Sequence, residues 1–239
     1  MTKLEAFRWG ALVSIPMIIG GVPFGVLFGS LAVSLGVSPW IALAMSMLVF
    51  AGSSQFVGIG LLAAGAPAWV VISTTFIINL RHVLYAADLL KHVKHLSLAW
   101  RGLLAFGLID EVYAAIKPHY ATGKLDNETG HWAYLGSFLA FYVMWVTMTL
   151  VGILAGRYIP DMSQWGLEFA MVATFVGIIT PYLTSWPYWG AFVVSSLAAL
   201  VLTHLPHNLG LLVAALMGVG TGLLTDRMLR YKRLMGESS

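Results

Sequence analysis

Asp110 and Glu111 stand side by side near the middle of a long apolar run. A carboxylate at membrane depth is costly and marks a functional site by default. Two adjacent carboxylates repel, so at least one needs a cation or a proton. Lys117 and Arg101 lie in the same run, and the preceding run offers Arg81. The chemistry open to the pair is neutralisation by a fixed cation, uptake and release of a proton, or a structural salt bridge that closes the bundle. The preceding run also holds Thr74, Thr75, Asn79, His82, Tyr85 and Asp88. At about 100° per residue, Thr75, Asn79 and His82 share one helix face, and Thr74, Arg81, Tyr85 and Asp88 share another. Two polar faces predict a helix surrounded by protein and partly wet. Arg81 either neutralises a buried acid, contacts a carboxylate or snorkels to the interface. His82 titrates near neutral pH and suits proton transfer. The Asn79 amide must find partners inside the bundle.

A third constellation is Gly52-Ser53-Ser54-Gln55-Phe56, four small or polar residues and an aromatic at the centre of another apolar run. A broken helix there frees amides and carbonyls that can hold the charged ends of a zwitterion. The alternative is that the serines bond back to their own helix and Gln55 ties two helices together. A fourth is Pro16, Gly20, Gly21, Pro23 and Gly25. Prolines around a glycine pair predict a kink or break near mid-membrane. Close helix packing by small residues is the other reading. Pro23, Gly25, Gly52, Ser53, Ser54, Gln55 and Asn79 are therefore the candidate substrate-binding residues. Arg81, His82, Asp110 and Glu111 are the candidate coupling or charge-pair residues.

The elements that must position these residues are membrane helices. Of 239 residues, 59% are hydrophobic and only 10% charged, with a mean hydropathy of +0.85. A soluble domain carries about 25% charged residues. Ten acids and thirteen bases cannot cover a globular surface, which excludes a soluble enzyme, a nucleic-acid binder and a disordered chain. The absence of cysteine removes disulfides, thiolate metal sites and thiol catalysis. The short charged start leads straight into a run too long for a cleavable signal. Eight apolar segments are long enough to span, near 10–34, 39–64, 67–88, 97–118, 132–155, 167–184, 187–204 and 209–225. They are continuous rather than alternating, which favours helices over a β-barrel. The expected fold is all-α: one polytopic membrane domain, 1–239, of seven or eight spans, some interrupted.

Charge bias does not decide the count. Eight spans place eight bases on one side and five on the other, with both termini inside. If segment 97–118 fails to cross, the division is ten against three, with Lys3, Arg8 and Arg157 outside. Either way Arg227, Arg230, Lys232 and Arg233 predict a cytoplasmic C-terminus. A weak internal repeat relates Gly25–Gly29 to Gly152–Gly156, Ala44-Met45 and Gly52 to Ala170-Met171 and Gly177, and Pro67 to Pro187. Such repeats are typical of secondary transporters. His92, His95, His204 and His207 lack a metal-binding constellation. Trp40, Trp69, Trp132, Trp186 and Trp189 lie at segment ends, as an interfacial belt would.

The runs Phe50-Ala-Gly-Ser-Ser-Gln-Phe56, Asn79-Leu-Arg-His-Val-Leu-Tyr85 and Asp110-Glu-Val-Tyr-Ala114 resemble the AzlC/YgaZ family, and the resemblance spans nearly the whole chain. Where that family often has alanine, this chain has Ser53. The resemblance implies the large subunit of a bacterial branched-chain amino-acid exporter in the inner membrane. It implies leucine, isoleucine, valine and methionine as substrates and a small AzlD/YgaH-type membrane subunit as partner, with no cofactor. An amino acid would place its charged ends on the opened backbone and its side chain near Phe24 and Phe56, and Asp110 or Glu111 would suit proton antiport. The rival class is a membrane-embedded serine hydrolase built from Ser54, His82 and Asp110, although no Gly-x-Ser-x-Gly elbow surrounds the serine. A channel is a third class, but no selectivity-filter signature is present.

Overall fold

A computed structural model describes residues 1–158, 183–205 and 209–236, with Val176 and Thr180 between them. Segment 167–184 lies largely outside the described residues. So do Ala170, Met171, Gly177 and His207, and the side chains of Arg157, Lys232 and Arg233. Every regular element described is helical: α1 (Lys3–Val13), α2 (Ile15–Ser34), α3 (Pro39–Leu48), α4 (Gly52–Ala63), α5 (Ala68–Asn79), α6 (Arg81–Val93), α7 (Leu98–Phe106), α8 (Asp110–Ala121), α9 (Gly130–Tyr158), α10 (Trp186–Val201) and α11 (Leu209–Gly236). They fall into two compact units, Met1–Val172 and Ala173–Ser239.

The frame of the first unit is α1 and α2 packed along α9. A Cβ at Gly10 would collide with the Ala133 carbonyl, one at Gly29 with Thr149, one at Gly136 with the Phe7 carbonyl, and one at Gly152 with the Val26 carbonyl. These glycines are present because backbone meets backbone there. From residues 7–10 against 133–136, through Gly21 and Gly25 against Met144 and Met148, to residues 26–29 against 149–152, both numbers rise, so the two stretches run parallel. The Gly25–Gly29 and Gly152–Gly156 motifs, similar in sequence, thus pack in the same layer of this interface. The Ser14 hydroxyl lies 2.6 Å from the Ser137 hydroxyl and donates to the Gly10 carbonyl at 3.0 Å.

The break expected around Gly20–Pro23 is displaced. Helix α2 runs unbroken through Pro23, and the interruption falls at Ser14. Pro16 then sits in the first turn of α2, where a missing N–H costs nothing. Gly21 and Gly25 face Met144 and Met148 of α9, so here the small residues serve packing.

Segments 39–64 and 97–118 do not cross; each is a pair of short helices that returns. Helix α3 has 10 residues and α4 has 12. At 1.5 Å per residue each reaches about half of a 30 Å hydrocarbon core. Ser46 and Gln55 would be about 13.5 Å apart along an unbroken helix. Instead they hydrogen bond at 2.9 Å, and Met45 packs against Gly58. The turn is at Phe50, buried and held at φ 44°. That left-handed conformation is rare for a bulky residue. Phe50 is fixed by the rings of Tyr142 (5.1 Å), Phe138 (5.9 Å) and Phe106 (6.2 Å).

Helices α7 and α8 form the second hairpin. Trp100, at its start, meets Trp132 at 5.0 Å. At its end Tyr120 packs on Gly130, and His119 meets Trp9 at 4.7 Å. Both ends therefore lie at the end of the bundle where α1 and α9 begin. The tip, Gly107–Ile109, lies against Phe138. A span between the hairpins is formed by α5 and α6, interrupted at Leu80. Because α2 and α9 are parallel and α5–α6 crosses once, the two hairpins must enter from opposite ends, their tips meeting in the middle.

In the second unit α10 and α11 form an antiparallel pair. Gly218 and Gly222 of α11 accept Ser195, Ala191 and Pro187 of α10 at close range. Asp226 and Arg230 form an ion pair one turn apart on α11.

Candidate functional site

Three helix interruptions converge in the first unit: the tip of α3–α4, Leu80 between α5 and α6, and the tip of α7–α8. Arg81 is the joint. Its Nη2 donates to Ser53 Oγ at 2.6 Å and lies 3.0 Å from Asp110 Oδ2. One guanidinium thus ties the first turn of α4 to the first turn of α8. Tyr85 donates its hydroxyl to Asp110 Oδ1 at 2.7 Å. The first turn of a helix exposes unpaired N–H groups and the positive end of its dipole, which favours carboxylates at Asp110 and Glu111. Arg81 is committed to Asp110, and Glu111 forms no ion pair among the described residues.

The same place holds polar atoms without partners. Asn79 Oδ1, Arg81 Nε and His82 Nε2 are buried and make no hydrogen bond. Buried polar groups in folded proteins are paired as a rule. One acceptor, one donor and one nitrogen able to act as either, clustered at a helix break, form a surface for a ligand that both donates and accepts.

Behind the site is a satisfied network. Gln55, fully buried, accepts from the Ala51 amide (3.1 Å) and Trp145 Nε1 (3.0 Å), and its amide donates to Ser46. Ser46 in turn lies 2.8 Å from the Thr149 hydroxyl. Gln55 therefore anchors the first hairpin to α9 and is turned away from Arg81's partners. Gly52 admits the Trp145 ring, which a Cβ would crowd at 3.1 Å.

Of the residues picked out by sequence, Ser53, Arg81 and Asp110 are brought into direct contact, with Asn79, His82 and Glu111 on the same turns. Pro23 and Gly25 belong to the unbroken α2, with Gly25 against α9. Phe56 packs on Phe28 at 5.6 Å. Ser54 donates to the Ala51 carbonyl at 2.9 Å, and Asp110 is taken by Arg81 and Tyr85, so Ser54, His82 and Asp110 do not assemble as a triad. Sequence reasoning missed Ser46, Thr149 and Trp145, which no motif marks. It noted Tyr85, Asp88 and Lys117 without their partner, Tyr113. Tyr113 donates to Asp88 at 2.7 Å, and Lys117 pairs with Asp88.

A family model described as AzlC protein matches residues 16–159, from α2 to the end of α9. Inner membrane protein YgaZ of Escherichia coli strain K12 is 32% identical over 92% of this chain and 89% of its own. An uncharacterized membrane protein of Archaeoglobus fulgidus is 33% identical over 91% of this chain and 94% of its own. The branched-chain amino acid transport protein AzlC of Bacillus subtilis strain 168 is 28% identical over 76% of this chain and 68% of its own. No solved structure matches the chain.

Proposed function

We propose that this chain, which belongs to the AzlC protein family, is the large subunit of a secondary exporter of branched-chain amino acids in the bacterial inner membrane. The observation that carries the reading is the trio of unpartnered atoms on Asn79, Arg81 and His82, beside Asp110 and Glu111. An amino acid supplies what they lack: an ammonium for Asn79 Oδ1 and the carboxylates, and a carboxylate for Arg81 Nε and the α4 amides at Gly52 and Ser53. Both hairpin tips touch this point, so movement of either one opens it toward one end. That is the geometry alternating access needs. Asp110 and Glu111 serve as the coupling pair: one is held by Arg81, and the other takes up and releases the proton that drives antiport.

The bases support an orientation. Lys3, Arg8, Lys91, Lys94, Arg101, Lys117 and Lys124 lie toward the end where α1 begins, and Arg157 is toward the other. The positive-inside rule makes the first end cytoplasmic. The C-terminal bases make the C-terminus cytoplasmic too. A small AzlD/YgaH-type subunit completes the exporter. The exposed stripe Trp69, Ile72, Phe76, Leu80 and Val83 along α5–α6 is an apolar face available to it.

The test is intracellular leucine and valine in cells fed a branched-chain dipeptide, with and without the chain and its small subunit. Lower accumulation with both present supports export. Equal accumulation in cells with verified protein in the membrane refutes it.

A further inference from the structure

Helices α6 and α8 meet with the same groups in reverse order. Helix α6 carries Arg81, Tyr85 and Asp88; α8 carries Asp110, Tyr113 and Lys117. The steps are four then three residues on α6, and three then four on α8. Arg81 pairs with Asp110, Lys117 pairs with Asp88, and the tyrosine rings stack at 4.4 Å with 15° between planes. Each hydroxyl donates to the acid on the other helix at 2.7 Å, and Lys117 also donates to the Tyr113 hydroxyl at 2.6 Å. The two rungs therefore carry the same groups with the helices' roles exchanged: the cation is on α6 at the inner rung and on α8 at the outer one.

The inner pair belongs to the site already described. The outer pair lies seven residues along α6, about 10.5 Å toward the end where α6 and α8 finish. It is also more exposed: Lys117 and Asp88 side chains are 38% and 34% accessible, against 27% and 12% for Arg81 and Asp110. A pair so exposed is held weakly and exchanges partners readily, whereas the inner one is costlier to part.

We propose that Asp88, Tyr113 and Lys117 form a second subsite for a zwitterionic amino acid, the one it meets first from the cytoplasm; this rests on the exporter reading. The ligand's ammonium replaces Lys117 on Asp88, and its carboxylate replaces Asp88 on Lys117. Net charge at the subsite is unchanged. The Tyr113 hydroxyl, which now both donates to the acid and accepts from the amine, serves either arrangement. The inner rung repeats the same chemistry one step deeper, so the substrate passes between equivalent partners instead of crossing an apolar gap as a bare dipole.

The test uses inverted vesicles, cytoplasmic face outward, holding the full chain with its small subunit, with leucine uptake measured against concentration. Asp88→Asn and Lys117→Gln should raise KM about tenfold, a loss of initial binding, with kcat within about twofold. The exchanged pair, Asp88→Lys with Lys117→Asp, should restore KM. Tyr113→Phe, which alters no charge and serves if the charge variants fold poorly, should raise KM about threefold. The chain has no cysteine, so Ala121→Cys, exposed one helical turn beyond Lys117, is a unique label that leaves the subsite intact. Leucine should slow its reaction with an impermeant thiol reagent. Unchanged KM in folded variants, or labelling indifferent to leucine, would reduce the outer pair to a helix clamp and overturn the proposal. Normal leucine transport by the wild type in that experiment would leave the exporter reading standing, whereas no transport by the wild type would overturn both.

Discussion

Removing Arg81 should cost more stability than its pair contributes. At 3.0 Å and an effective dielectric constant of about 20, Arg81 and Asp110 attract by about 5.5 kcal/mol before desolvation. Desolvation of two half-buried ions consumes much of that, so the net worth of the intact pair is small. The single variant differs: Arg81→Gln leaves Asp110, 12% exposed, with one hydroxyl from Tyr85 and no cation. An uncompensated charge of this kind costs about 3–5 kcal/mol. Some relief comes from the α8 dipole, which places the expected loss near 3 kcal/mol. For a domain of this size that lowers Tm by about 6–12 °C. Asp110→Asn in the Arg81→Gln background removes the stranded charge and should recover about 2 kcal/mol. Heating the purified variants and reading the folded fraction by size exclusion completes the double-mutant cycle. Export should be lost in all three, because both groups touch the site. A double variant no more stable than either single one, or Arg81→Gln within about 0.5 kcal/mol of wild type, the usual margin for a surface change, would refute the account.

Gly152→Leu drives a side chain into the Val26 carbonyl and should abolish accumulation in the membrane, since overpacking costs about 1–3 kcal/mol even where atoms can yield. Gly20→Ala meets nothing within 4 Å, and an immunoblot should find it at wild-type level. Gln55→Leu strands the Ala51 amide, the Trp145 indole N–H and Ser46, so a loss of about 2–4 kcal/mol should show as reduced abundance; wild-type abundance with no transport would contradict it. Asp126, in the loop before α9, accepts from the Thr129 and Glu128 amides, which hold its carboxyl below the usual value. Its contribution is present above the ordinary aspartate pKa and lost as pH falls through the depressed one, so Asp126→Asn should lose about 1 kcal/mol at neutral pH and nothing in strong acid. Single cysteines at Thr2 and Leu96 should both be labelled from the cytoplasmic side only, and labelling from opposite sides would refute the returning hairpins.

Much of the site is legible in the residues. An acid pair in an apolar segment requires a cation, and Arg81 was among the three available. The interruption near Gly52 was legible from four small or polar residues in a row. The return of segment 39–64 was not. Hydropathy sums apolar character over 26 residues and is blind to direction, and Phe50 is no turn former. Its left-handed backbone is held by Phe106, Phe138 and Tyr142, contacts far apart in sequence. The charge count stayed undecided for the same reason. Letting 97–118 alone return sets Lys3 and Arg8 opposite Lys91 and Lys94; letting 39–64 return as well puts them at the same end. Gln55 was read as a substrate ligand or as helix glue, and its bonds to Ala51, Ser46 and Trp145 tie the first hairpin to α9. With Gln55→Leu, sequence alone predicts lost transport at normal abundance, because nothing there reveals Trp145 and Ser46. The mirrored spacing of Arg81, Tyr85 and Asp88 with Asp110, Tyr113 and Lys117 was on view in the sequence, but it means something only once α8 returns beside α6.

The pairing of α1–α2 with α9 sets the order of assembly. The contacts of this frame join residues 7–29 to residues 133–153, so the frame cannot close until α9 has been synthesised. Meanwhile α3, α4, α7 and α8 have entered the bilayer, none long enough to span it. Their ends carry carbonyls and amides that only the finished frame and the opposing tip can cover. The nascent chain therefore passes through a stage in which four half-length helices lack their partners, and topologically distant contacts of this kind form slowly. Truncation before α9 should leave a chain that inserts but is degraded, with the defect lying in closure rather than in targeting.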